Sequence, residues 1–400
     1  MFPRDQALPL RGKRGPIKQM ESSTAGMESK TDVQMRRAAF YALASVVSLT
    51  SYSGEEQKHH ACGTIIHSEF DNSIFKGKVL TSTTLIRDDP GANTVIKDLN
   101  IYIRLWNRSL VRGSLLAFDL HYNIAIIGIQ GPNELRAASF RLLDDSCDLD
   151  DSMNLPKKKG ALELVEYGKP QKISFGDKIF ILGRFHEEPF HTLMTSGEFT
   201  LCSCCYDCKE LLKINGKTEK FWIGGPVVNL QGDVLGLAHY NEYFIPFLPM
   251  NVIWRLLDCY KRTGQFRHPW IGMEILNLST THYGGFVAFR GGKRNVVIQK
   301  VEKNSPADKA GLCSEDVILK CNDQDVVGFN DLIWDEDGEF KLKVLRPTKS
   351  EPMDFILVPE EGKPDGFNSW ISCGELLVRH KHLCDQCSLY ESEFKACGMD

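Results

Sequence analysis

No apolar run in this 400-residue chain is long enough to cross a bilayer. The longest, Ala38 to Leu49, is broken by Ser45 and Ser48 and falls short of the roughly 20 apolar residues a spanning helix needs. There is no surplus of charge either: 48 Lys and Arg against 52 Asp and Glu leave a formal net charge of -4. That removes the electrostatic pull toward nucleic acid or a membrane surface. A compact basic-then-apolar leader of the secretory kind is lacking. So is a disulfide framework, because the 13 cysteines are odd in number and scattered through strands and loops. We read a reducing intracellular compartment, cytoplasm or nucleus, with plastid or mitochondrion as the alternative.

What is there begins with length, which is enough for two domains, or three, with sizeable cores. Residues 1–37 carry eight Lys/Arg against four acids and read as a disordered basic tail. A transit peptide, or a weak nuclear signal around Arg11 to Arg14, is the alternative reading. Short β-branched segments then follow at regular spacing: Val46–Leu49, Cys62–Ile66, Lys78–Ile86, Ile101–Leu105, Ser114–Ala117 and Ile124–Ile127. That spacing predicts an all-β barrel or sandwich. Residues 131–160, with Pro132, an acidic patch and Lys157 to Lys159, read as a linker. A second barrel opens at Gly176 and closes with Tyr243 to Pro249, before a helix from Asn251 to Arg262.

One stretch organises the rest. Phe221-Trp222-Ile223-Gly224-Gly225-Pro226 leads into Val227 and Val228, a Gln231-Gly232 hairpin and a second apolar run to Leu237. Two glycines in succession permit a backbone that a side chain would resist. This layout resembles the nucleophile loop of a double-barrel serine protease, with isoleucine where the serine should stand.

Further segments, in order, resemble the DegP/HtrA (Do-like) serine proteases: Gly63-Thr64-Ile65-Ile66, Val79 to Ile86, Asp119 to Ile127, and Pro246 to Asn251. The resemblance covers residues 40–360. It implies a mainly β fold, a chymotrypsin-like double β-barrel followed by a PDZ domain. Carried over residue by residue, it puts Thr84 at the histidine, Asn123 at the aspartate and Ile223 at the serine of the triad. Phe221, Trp222 and Gly224 fall in the oxyanion turn. A threonine hydroxyl is no general base near neutral pH, asparagine carries no charge to hold an imidazolium, and isoleucine cannot form an acyl-enzyme. A rebuilt site would have to draw on Asp119, His121, Ser82 or Lys220. What remains without a triad is on the order of 10³-fold over water, against about 10⁶-fold or more for an enzyme.

In the C-terminal part, Ser305 suits an N-cap, Pro306 a first helical turn and Gly311 a C-terminal stop. The run Ser305-Pro306-Ala307 to Leu312, followed by Asp316-Val317-Ile318, resembles an HtrA-type PDZ signature. By the same resemblance, Trp270, Ile271, Gly272 and Met273 form the loop that holds a peptide carboxylate. Val326 to Trp334 would include the helix flanking the groove. The expected boundaries are 1–37 for the tail, 38–262 for the protease-homology barrels, 263–360 for the PDZ domain and 361–400 for a Cys/His-containing tail.

Two cysteine clusters stand outside this scheme. Cys202, Cys204, Cys205 and Cys208 precede the glycine turn, and His380, His382, Cys384 and Cys387 lie in the tail. Either could contribute to a tetrahedral zinc site, though neither offers a second well-spaced pair; the expectation is no cofactor. The expected function is a catalytically silent protease homologue that binds polypeptide C-termini or unfolded segments. The alternatives are an active serine endopeptidase with a rearranged site, and a structural or regulatory subunit of homo- or hetero-trimers with related Deg proteases. Nucleic acid and a membrane span are not expected.

Overall fold

The computed structural model describes residues 30–88, 93–132, 134–144, 171–200, 206, 208, 210–217, 219–241, 243–277, 296–326 and 338–362. A helix, α1 (Lys30–Ala42), comes first and buries Met35, Ala38, Ala39 and Ala42. It corrects the reading of residues 30–37 as a disordered tail: the small residues on one face give a helix something to pack with.

Six strands then close the first barrel: β1 (Val46–Ser53), β2 (Glu56–Asp71), β3 (Ile74–Thr81), β4 (Asn100–Arg104), β5 (Leu110–Asp119) and β6 (Ile124–Gly131), in spatial order β1-β2-β3-β6-β5-β4. A short parallel pair, β7 (Leu143–Asp144) with β8 (Gln171–Lys172), leads to the second barrel. Its strands are β9 (Lys178–Arg184), β10 (Thr192–Thr200), β11 (Leu212–Asn215), β12 (Pro226–Val228), β13 (Val234–Ala238) and β14 (Ile245–Pro249), in order β10-β11-β14-β13-β12-β9. Helix α2 (Met250–Thr263) follows and ends at Gly264.

Successive side chains of a strand point to opposite faces, and here both faces are covered. Ala125, Ile127 and Ile129 fill the first barrel, whereas Ile124 and Ile126 enter the seam between the barrels. Ile179 and Ile181 fill the second barrel, whereas Phe180 and Leu182 meet that seam. This is why the strands read as continuous apolar runs rather than as clean alternation.

Two strand expectations change. The strand expected to run to Ile86 stops at Thr81 and turns through a single 3₁₀ turn, Thr83–Leu85. The Ser82 hydroxyl accepts from the Thr84 N–H and so offers the backbone a local partner in place of the ladder. The expected two-residue Gln231-Gly232 hairpin is a longer loop, because the Asn229 side chain accepts from the N–H groups of Gln231 and Asp233.

The PDZ sheet contains β16 (Met273–Asn277), β17 (Val296–Val301), β18 (Val317–Cys321), β20 (Phe340–Leu345) and β21 (Met353–Leu357) in that spatial order. A short β19 (Gln324–Asp325) pairs with β18, and β15 (Pro269–Trp270) pairs with β22 (Glu360–Glu361). Helix α3 (Pro306–Ala310) has Ser305 as its N-cap, Pro306 in its first turn and Gly311 as its left-handed stop, as the sequence predicts. The helix expected within Val326–Trp334 falls, from residue 327, outside the described residues. In the segment joining the barrels to this domain, His268 Nε2 pairs with the buried Asp119.

Beneath the PDZ sheet, Arg346 grips the fully buried Asp316 with both Nε (2.7 Å) and a terminal nitrogen (2.8 Å). Removing the guanidinium leaves a buried carboxylate without its cation. Arg346→Ala should destabilise the domain by about 3 kcal/mol, read as a lower urea midpoint with unchanged slope.

Candidate functional site

The three positions at which the resemblance places a triad lie around one seam. Ser82, at the end of β3, donates to Asn123 Oδ1 at 3.2 Å and lies 2.9 Å from the Thr84 hydroxyl. Thr83 also donates to Asn123 Oδ1, and the Thr83 N–H donates to the Asn123 carbonyl at 3.3 Å. From the other barrel, the Ile223 carbonyl accepts from the Cys62 N–H at 2.8 Å. Next to it, a Cβ on Gly224 would stand 2.4 Å from the Cys62 carbonyl and 3.0 Å from the Ser82 nitrogen, at φ +80°. The structure therefore draws the loop of Ile223 onto the strand end that carries Thr84. This close approach is why residue 224 must be glycine.

The hydrogen bonds fix the protonation of the seam. Arg87, 1% exposed, donates through Nε to the Thr83 hydroxyl at 3.1 Å and through a terminal nitrogen to the Leu120 carbonyl at 2.8 Å. A guanidinium only donates, so Thr83 sends its own proton to Asn123 Oδ1. The Asn123 amide then turns its Nδ2 to His239 Nδ1, 3.3 Å away. His239 accepts there and carries its proton on the other ring nitrogen. Burial, reinforced by the nearby Arg87 charge, pushes its pKa down to about 3. Burial likewise lowers Arg87 to about 10, partly opposed by Asp119.

Among the described residues, the N–H groups of Ile223 and Gly224 are both engaged by backbone carbonyls. The Ile223 N–H donates to the Lys220 carbonyl at 3.3 Å, and the Gly224 N–H to the Ala238 carbonyl at 2.9 Å. Phe221 and Trp222 sit in the 3₁₀ turn Lys220–Trp222. Donors spent on the backbone cannot receive developing negative charge. Cys62 is the nearby thiol: its Sγ donates to the Phe221 carbonyl at 3.0 Å, and burial pushes its pKa up to about 11. Such a thiol stays protonated and is a poor nucleophile. His59 Nε2 is 2.8 Å from the Arg87 carbonyl, to which it must donate.

Of the four residues considered for a rebuilt triad, Ser82 lies in the seam and the other three are engaged elsewhere. Asp119 accepts from the Tyr122 N–H at 2.8 Å and pairs with His268. His121 packs against Tyr122 and His268, at ring distances of 4.6 and 4.7 Å. The Lys220 ammonium lies 5.7 Å from the Tyr240 ring. Sequence reasoning missed Arg87 and His239. Neither sits in a recognisable motif; Arg87 reaches the seam through Thr83 within the first barrel, and the meeting of the two barrels brings His239 to Asn123.

In the PDZ domain, Trp270, Ile271, Gly272 and Met273 stand together at the start of β16. The Ile271 and Gly272 carbonyls accept from the N–H groups of Ala307 (3.0 Å) and Glu302 (2.8 Å). Gly272 has φ +67°, and a Cβ there would meet Ser305 at 2.1 Å. Among the described residues, β16 is paired on one side only, by β17.

Of the metal candidates, Cys208 is buried, with its thiol 3.5 Å from Glu210 Oε2. Cys202, Cys204, Cys205, His380, His382, Cys384 and Cys387 lie outside the described residues. Among those described, no three His, Cys, Asp or Glu side chains are grouped to hold a metal ion.

Acid sensitivity follows from His239. The unfolded chain takes up this proton near pH 6.5, the folded chain only near 3. Stability is therefore full above 6.5 and falls with pH between these values, by up to about 1.4 kcal/mol per pH unit from this one site. Urea unfolding from pH 7 to 4 should show a shallower loss in His239→Asn than in the wild type; His60, His121 and His186, also lowered by burial, contribute to both.

Comparison with known proteins agrees with this architecture. The PDZ domain family profile matches residues 274–351. Serine protease Do-like HtrB of Bacillus subtilis (strain 168) is 23% identical over 67% of this chain and 58% of its own. A "Probable periplasmic serine endoprotease DegP-like" protein of Pseudomonas putida (strain GB-1) is 23% identical over 66% of this chain and 52% of its own. The chain thus spans between about half and three fifths of the length of these relatives. Among solved structures, "HtrA-type protease AlgW with tripeptide" superposes with a TM-score of 0.55 at 16% identity, covering 83% of this chain and 99% of that one. This last likeness is one of fold. The chain thus combines a chymotrypsin-like double barrel with a PDZ domain, and along two thirds of its length it is similar in sequence to proteins named as HtrA- and DegP-type (Do-like) serine proteases.

Proposed function

We propose that this chain is a catalytically silent HtrA/Do-like homologue whose task is to bind polypeptides. The observation that carries the reading is the hydrogen-bonded seam at Ile223. A hydrocarbon stands at the nucleophile position, the N–H groups beside it are spent on the Lys220 and Ala238 carbonyls, and the Asn123 amide is held by Ser82, Thr83 and His239. A buried guanidinium next to the one buried imidazole of the seam opposes any imidazolium there. General-base catalysis by the triad route needs that cation to form.

Binding is supported by the PDZ domain. An edge strand preceded by a glycine-bearing loop fits strand addition, in which main-chain bonds supply affinity and side-chain pockets supply selectivity. A second reading, a subunit of trimers with related Deg-type proteases, is favoured by α1, where Phe40 and Tyr41 are 78% and 76% exposed as an edge-to-face pair. A contiguous aromatic surface of that kind suits an assembly contact.

Two results test the reading. Incubated with unfolded casein, the purified chain should release no fragments above a buffer control. Cleavage that disappears when Ser82 or Cys62 is changed to alanine would overturn the silent-protease reading. A C-terminal peptide library should yield binders whose affinity drops at least about tenfold on C-terminal amidation and again in Gly272→Ala. Binders indifferent to both changes would count against the carboxylate loop.

A further inference from the structure

One cavity has Arg184 in its lining and adjoins the seam there, the Arg184 N–H donating to Cys62 Sγ at 3.3 Å. It is bounded by β1, by the β4–β5 turn and by the loop from Arg184 to Thr192, and its volume is about 270 Å³. Arg104, Arg108 and Arg184 line it together with Ser48, Trp106, Phe190 and Thr192, and no Asp or Glu is in the lining. Among the described residues, none of the three arginines makes an ion pair with a carboxylate. Three arginines lining one cavity without a counter-charge in the lining favour a bound anion.

Two of the three heads are held in place. The Arg104 guanidinium lies 3.8 Å from the Phe190 ring centroid and donates to the Arg108 carbonyl at 3.1 Å. Arg184 donates to the Val46 carbonyl at 2.7 Å and to the Leu43 carbonyl at 2.9 Å, so part of its fork is anchored in the first barrel. Stacked and tethered guanidiniums lose less freedom on binding than lysines would, and their planar donors match an oxyanion. Acids on the same loop are directed elsewhere or lie outside the lining: Glu187 sits 3.6 Å from His186, and Glu188 is exposed.

We infer that this pocket binds a small oxyanion, a phosphate or carboxylate group, through Arg104, Arg108 and Arg184. The volume suits a small molecule rather than a folded partner. Its lining includes no residue of the PDZ domain and none of Thr84, Asn123 and Ile223, and the inference stands whether or not the barrels hydrolyse peptides.

Titration calorimetry on the full chain, with inorganic phosphate in one arm and citrate in the other, tests it. The expected result is saturable binding of at least one probe below about 10 mM, weakened roughly tenfold in Arg104→Gln/Arg108→Gln, the loss of a charged hydrogen bond. The tighter arm assigns phosphate or carboxylate. If the double variant loses its far-UV spectrum, the exposed Arg108→Gln alone is read by the same criterion. Absence of saturable binding in both arms, or unchanged affinity in a folded variant, overturns the assignment.

Discussion

The amide of Asn123 joins the two barrels. Its Oδ1 takes the protons of Ser82 and Thr83 at the end of β3, its Nδ2 reaches His239 beyond the end of β13, and its carbonyl holds the Thr83 N–H. A neutral side chain that both donates and accepts can do this. A carboxylate, which only accepts when ionised, would meet His239 Nδ1 as a second acceptor unless the ring tautomer changed. The local network therefore fits asparagine, and it supports the proposal of a silent site.

Arg87 extends the same constraint. It is buried beneath the seam and fixed to Thr83 and to the Leu120 carbonyl. Its charge adds to burial in keeping His239 neutral, and its hydrogen bond orients the Thr83 hydroxyl that in turn orients Asn123. In a hydrolase the equivalent space must accommodate a cation that comes and goes on imidazole. Here a permanent cation is part of the packing, and the nearest thiol, Cys62, is kept protonated by burial.

Much of the barrel architecture was legible because strands covered on both faces leave long apolar runs such as Ile124 to Ile127. The resemblance puts Thr84, Asn123 and Ile223 at the triad positions through short motifs; what the structure shows is that the segments carrying them meet. Local competition was less visible. Ser82 ends β3 early through its own hydroxyl, and Asn229 lengthens a hairpin through its amide; both are side-chain bonds to nearby backbone that hydrophobic patterning does not register. The helix at Lys30–Ala42 was hidden by the charges around it, since its buried face consists of small residues and one methionine. Arg87 and His239 could not be read at all. Arg87 acts through Thr83, four residues away, in a local turn that hydrophobic patterning does not register, and His239 acts on Asn123, 116 residues away.

The proposal of a silent site holds that no described side chain is placed to attack an electrophile beside Ile223. Labelling of the purified chain with a fluorophosphonate, mapped by mass spectrometry, addresses it directly. The account predicts no adduct on any barrel residue, with an active serine protease labelled alongside as control. A stoichiometric adduct on a serine or threonine of either barrel would contradict it.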